Sequence, residues 1–188
     1  MPNLKEQLII LRPNADDMTD VFVDELLAMY AAIEDAVAGT DNNPLWEIGK
    51  HPSAEQLKTA AATNSLFVGM IDGEPAGALI VDNNPAPGYE RVPWQVEADP
   101  SEVAVMHLFG IHPRFQGMGL ARLLVEEAAR AKRADGFTVL RLDTLIDNLG
   151  AQRTYASLGF TNLGRALLSY GPYENIAEPN FVLFEKAL

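Results

Sequence analysis

The chain has 188 residues, 48% of them hydrophobic, and a formal net charge of -12 at pH 7. That length and apolar share fit a single domain over 1–188 and exclude large-scale disorder. The acidity argues against non-specific nucleic-acid binding, and the lack of cysteine excludes a disulfide framework, a thiolate nucleophile and a Cys-based zinc site.

In chain order, residues 8–11 (LIIL) read as a first strand ended by Arg12-Pro13. Asn14 to Asp17 supply cap-type residues, and 18–37 shows helical periodicity up to Gly39. Ser53 and Gln56 form a capping-box pattern for a helix running to about Thr63. Residues 66–71 and 76–81 are strands flanking Asp72-Gly73, a hairpin signal. Segment 83–100, with Pro85, Pro87, Pro93 and Pro100, predicts an ordered excursion rather than a strand. Residues 103–111 are almost continuously apolar, as in a strand covered on both faces. A helix follows that places Leu120, Leu123, Leu124, Ala128 and Ala131 on one stripe and ends at Asp135-Gly136. Strand 139–142, helix 148–158 and closing strands 163–169 and 181–184 complete a mixed α/β fold with one parallel crossover. No apolar run reaches the roughly 18 residues needed to span a bilayer, and MPNLKEQ lacks a signal-peptide layout. A cytoplasmic protein with no membrane partner is expected.

The stretch that carries chemistry is 103–124, where an apolar strand runs through a short loop into Gly117-Met118-Gly119 and a helix. A helix start presents unpaired amides and the positive end of a dipole, and so attracts phosphate. Glycine lets a ligand approach the amides closely. Two cofactors suit such a turn. For a dinucleotide, Asp143 would stand about where a ribose-binding acid belongs. Against that reading, Arg122 occupies the third small position, and the loop 112–116 is long for the tight turn. The other cofactor is an acyl-coenzyme A.

Gln116-Gly117-Met118-Gly119-Leu120-Ala121, preceded by His112-Pro113 and Phe115, resembles the Gln/Arg-x-x-Gly-x-Gly/Ala signature of the GNAT family of N-acetyltransferases. Asn148, Ala151, Tyr155, Gly159 and Phe160 repeat that family's Asn-x-x-Ala-x-x-x-Tyr-x-x-x-Gly-Phe pattern. The resemblance implies a GNAT-like acyl-CoA N-acyltransferase fold, with a central mixed, mostly antiparallel sheet flanked by helices. It implies acetyl-CoA as co-substrate and direct transfer to an amine in a ternary complex. The backbones of Phe109 and Ile111 would pair with the pantetheine arm. Amides of Gln116, Gly117, Met118, Gly119, Leu120 and Ala121 would wrap the pyrophosphate. Asn148, beside Ala151, would bond the pantetheine, and Tyr155 would face the thioester sulfur. Met118 departs from the family's usual Lys or Arg, leaving Arg114 and Arg122 to supply positive charge.

The reaction needs an acid for the leaving thiolate, which Tyr155 fits, and a base for the amine. His107 on the central strand, Glu97 and Glu102 are the candidates for that base, His107 foremost because its unperturbed pKa suits the task. His51 and His112 read as loop and turn residues, and Asp143 as the cap of its strand. Trp46, Tyr89, Trp94 and Glu97 would line the acceptor site, where aromatic rings beside carboxylates suit a cation. The acceptor is a small amine or a peptide amine, and a second copy of the chain is a candidate partner. A non-catalytic acyl-CoA sensor is the alternative that would bind the cofactor without depending on Tyr155.

Overall fold

The computed structural model describes residues 7–168 and 179–188. Among them are seven strands and four α-helices: β1 (Leu8–Leu11), α1 (Asp20–Val37), α2 (Ala54–Ala62), β2 (Leu66–Ile71), β3 (Glu74–Asp82), β4 (Val103–Ile111), α3 (Leu120–Ala134), β5 (Val139–Leu145), α4 (Leu149–Ser157), β6 (Thr161–Ala166) and β7 (Phe181–Ala187). They fall into two compact units. One holds the described residues through Ala38, with Leu45–Asp82 and Met106–Ala128; the other holds Gly39–Pro44, Asn83–Val105 and the described residues from Ala129 onward.

In the first unit the strand order is β1-β2-β3-β4, with β1, β2 and β3 antiparallel. The β2–β3 hairpin turns where expected, with Asp72 and Gly73 at φ 51° and 81°, the conformation of a primed two-residue turn. Leu26, Tyr30 and Ile33 of α1 and Leu57 of α2 pack on Leu66, Val68, Ala78 and Ile80. The start of α1 differs from the periodicity. Asn14 and Asp17 close a capping box on a separate 3-10 turn, Ala15–Asp17, and Thr19 then accepts from the Phe22 amide to start the helix at Asp20. Two cap signals in succession thus make two elements. Ser53 and Gln56 form their capping box as expected.

In the second unit Val103–Val105 pair in parallel with Val139–Arg141, and β5, β7 and β6 are antiparallel neighbours in that order. The fold is therefore mixed α/β and mostly antiparallel, with the one expected crossover through α3. Strand 139–142 extends to Leu145, and 181–184 extends to Ala187 through Glu185, which is 2% exposed. Asp143 and Glu185 follow the apolar runs and are held within their strands by partners described below. The strand expected at 163–169 is instead β6, two residues earlier, with Ser169 outside the described residues. Segment 83–100 forms no strand and packs Tyr89, Val92 and Trp94 onto the core of its unit, as anticipated for an ordered excursion.

Candidate active site

The glycine turn is built from the sheet outward. Leu120, the first residue of α3, is 1% exposed and sits over Gly69 of β2 and Gly77 of β3, which face each other across the hairpin. A Cβ at Gly69 would meet Leu120 Cδ1 at 3.1 Å, and one at Gly77 would meet Ile111 Cδ1 at 2.6 Å and the Gly110 carbonyl at 3.1 Å. The two missing side chains let the helix start rest directly on the strands. Phe115 completes the seat with Ile71 and Ala76. Gln116 braces the loop: its side chain donates to the Ile111 carbonyl (3.1 Å) and its amide to Pro113 (3.4 Å).

Gly117 and Gly119 adopt φ of 74° and 86°, a region that costs other residues about 1–2 kcal/mol. A Cβ at either would meet nothing within 4 Å, so open space faces this backbone. The first turn of α3 carries no acidic residue to repel an anion, and its leading amides have no acceptor within the helix. The residues thus fit a pyrophosphate. Met118 is 50% exposed. Arg114 pairs with Glu74 at 3.0 Å and Arg122 with Glu126 at 3.7 Å, all four side chains more than half exposed. Such pairs contribute about 0–1 kcal/mol, so either guanidinium can leave its partner for a phosphate at small cost.

Along β4 the backbone departs from a regular strand at Leu108, whose φ is 50°. A non-glycine residue there costs roughly 1–3 kcal/mol and needs over-determination by its surroundings. Leu108 is buried in the first unit's core, and the buried Tyr30 hydroxyl donates to its carbonyl at 2.7 Å. Burial of a leucine, at about 1.5–3 kcal/mol, together with that bond exceeds the strain. Trp46 meets Tyr30 edge-on at 5.2 Å and lies above Gly110. Burial pushes the Tyr30 phenol well above its usual range, so it stays a donor. Phe109 and Ile111, on either side of Gly110, are half-buried.

His107 Nε2 lies 3.2 Å from Asp82 Oδ1 at the end of β3, with side chains 28% and 31% exposed. His51 is more than a loop residue. Its Nδ1 lies 3.1 Å from Gln56 Nε2, and burial, with the nearby His107, lowers its pKa despite the Gln56 bond. Glu97 is exposed in segment 83–100, and Glu102 is half-buried just before β4.

In the second unit Asn148 is the N-cap of α4, its Oδ1 accepting from the Ala151 amide at 3.0 Å. The cap leaves the two Nδ2 donors uncommitted. Tyr155, 8% exposed, packs against Phe160 and Phe184 with centroids 6.0 and 5.5 Å away. Burial, and then the charge of Asp143, pushes its phenol upward. Asp143 does not cap β5. It stands within the strand opposite Leu183 and accepts from the Tyr89 hydroxyl at 2.7 Å, so one carboxylate oxygen is engaged within its own unit.

Trp94 is an anchor as well. Its Nε1 donates to the Tyr89 carbonyl (2.8 Å), and Arg141 lies over its ring at 4.3 Å, so the cation on that face is internal. Arg141 also approaches the buried Glu185 at 3.5 Å, while Glu185 accepts from the Gln95 and Val96 amides at 2.7 and 3.1 Å. Sequence reasoning missed Asp82, Tyr30, Arg141 and Glu185 in these roles. Their one local signal is a polar residue within or ending an apolar run.

The profile of the acetyltransferase (GNAT) family matches residues 28–160. The chain is 28% identical over 97 residues to an uncharacterised N-acetyltransferase of Methanocaldococcus jannaschii, covering 52% of this chain and 39% of that protein. It is 33% identical over 91 residues to the mycothiol acetyltransferase of Nocardia farcinica, covering 46% of this chain and 30% of the relative. The match therefore spans well under half the length of these relatives. In fold it is similar to yncA of Salmonella typhimurium, solved with its cofactor acetyl-CoA, at a TM-score of 0.63 and 16% identity over 97% of this chain and 94% of that one.

Proposed function

The chain belongs to the acetyltransferase (GNAT) family, and from that premise we propose that it transfers the acetyl group of acetyl-CoA to an amine by direct attack. The observation that carries this reading is the glycine turn: two left-handed glycines with open space beside them, opening a helix free of acidic residues in its first turn. Amides of Gly117, Met118, Gly119, Leu120 and Ala121 take the pyrophosphate, with Gln116 bracing them and Arg114 or Arg122 adding charge. The backbones of Phe109 and Ile111 take the pantetheine arm, and Asn148 beside Ala151 donates to it through Nδ2.

Acetyl-CoA supplies the activated acetyl thioester. His107 takes a proton from the acceptor ammonium, which frees the nitrogen lone pair for attack on the thioester carbon. The carbon–sulfur bond breaks, and Tyr155 gives its phenolic proton to the departing thiolate. The second nitrogen proton leaves to solvent and the proton held by His107 is returned through solvent to the Tyr155 phenolate, so the enzyme is restored and the products are an amide, free CoA and one proton. His107 is preferred to Glu97 and Glu102 because its ring is the one held in place by a carboxylate. The acceptor is a small amine or a peptide amine, drawn by the net charge of -12.

Thermal unfolding with acetyl-CoA, CoA and NAD in parallel tests the cofactor. At 100 times its dissociation constant a ligand adds about 2.7 kcal/mol. Stabilisation by acetyl-CoA and CoA but not NAD is expected, and stabilisation by NAD alone overturns the proposal. Amine-dependent release of free thiol then separates a transferase from an acyl-CoA sensor.

A further inference from the structure

We propose that Asp82 is the positioning residue of His107: it decides which ring nitrogen carries the proton and steadies the imidazole once it is charged. The inference rests on the reading of His107 as the base. Asp82 is the last residue of β3 and His107 the fifth of β4, and their 3.2 Å contact joins Oδ1 to Nε2. An ionised carboxylate can only accept, so Nε2 must be the nitrogen that bears hydrogen. The lone pair of the neutral ring then sits on Nδ1, which becomes the atom that takes the acceptor's proton. Uptake there gives an imidazolium with a carboxylate already against its other nitrogen, a favourable placement for positive charge.

Asp82 faces His107 from β3. His51 approaches from the loop between α1 and α2, with Nδ1 turned to the Gln56 amide. Burial, and then the nearby His107, disfavour the charged form of His51, so His51 does not compete with His107 for the proton. From α1, Tyr30 commits its hydroxyl to the neighbouring Leu108 carbonyl and offers His107 no competing proton. A merely structural role, in which the pair ties β3 to β4, would leave the ring's titration irrelevant to rate.

The test compares wild type, Asp82→Asn, Asp82→Ser and His107→Gln in the full chain, with thermal unfolding as the control for folding. Long-range proton–nitrogen NMR of the histidine rings between pH 5 and 9 reads the tautomer, with His107→Gln assigning the signals. Free-thiol release over the same range gives kcat and KM. In both Asp82 variants the Nε2–H form is expected to lose its dominance. The acid limb of kcat should move about one pH unit lower, with kcat down about tenfold and KM for acetyl-CoA within twofold. An unchanged tautomer and titration of His107 in both variants overturns the proposal. The NMR arm reports the pairing independently of turnover, whereas a wild-type pH profile in His107→Gln overturns the base reading itself.

Discussion

Tyr155 illustrates how one residue's surroundings decide its chemistry. Loss of solvent around the ring disfavours the phenolate first, and the Asp143 carboxylate adds to that effect, so the group keeps its proton throughout the neutral range. Such a phenol holds a proton for the departing thiolate at every neutral pH, although as an acid it is weaker than the thiol it would form, whose ordinary pKa is about 8.5. Tyr155→Phe should keep acetyl-CoA affinity within twofold and lower kcat at least tenfold in a free-thiol assay. An unchanged rate across pH 6–9 would remove Tyr155 from the mechanism. Tyr155 could be found in the sequence because Asn148, Ala151, Gly159 and Phe160 around it repeat the GNAT family's pattern within one short stretch. Asp143 and Tyr89 could not be joined to each other that way, nor Asp82 to His107. The first pair is separated by 54 positions and the second by 25, so only tertiary packing brings them together.

At the level of elements, what the sequence made legible was whatever a local signal could announce: the hairpin at Asp72-Gly73, the box at Ser53 and Gln56, the central strand and its helix. Boundaries escaped where a distant partner redefined a residue. β7 runs on through Glu185 because Gln95 and Val96 donate to its carboxylate and Arg141 lies beside it. The seat under α3 depends on an absence that composition cannot reveal, the facing pair Gly69 and Gly77. In Gly77→Ala the new methyl would press on the Gly110 carbonyl, which is backbone and cannot swing away. Overpacking of this kind costs about 1–3 kcal/mol. The urea midpoint should fall accordingly, and titration should show weaker CoA binding than in wild type. Full-strength CoA binding in this variant would show that the seat does not set the loop.

For the molecule as a whole, the buried phenols govern behaviour in alkali. Tyr30 and Tyr155 both titrate above the ordinary value of 10.0 when folded. Below pH 10 both states hold these protons, and the stabilisation is fully present. Above it the unfolded chain releases protons that the folded chain retains, so stability falls as pH rises. Each phenol contributes a slope of about 1.4 kcal/mol per pH unit. Urea unfolding from pH 9 to 11.5 should show this decline, and Tyr155→Phe should remove one proton from it; an identical slope in that variant would refute the assignment. His51 acts at the other end with the opposite sign. Its lowered pKa makes its contribution complete above about 6.5 and lost as the pH falls further.

The box that starts α2 has a consequence beyond the helix. Gln56 Oε1 accepts from the Ser53 amide, which fixes the orientation of its terminal amide and turns Nε2 toward His51. A flip of that amide would set the Nε2 hydrogens against the Ser53 N–H. The residue that closes the box at the start of α2 therefore also reaches an imidazole near His107 of β4. One side chain thus serves both a helix start and the surroundings of a titratable ring.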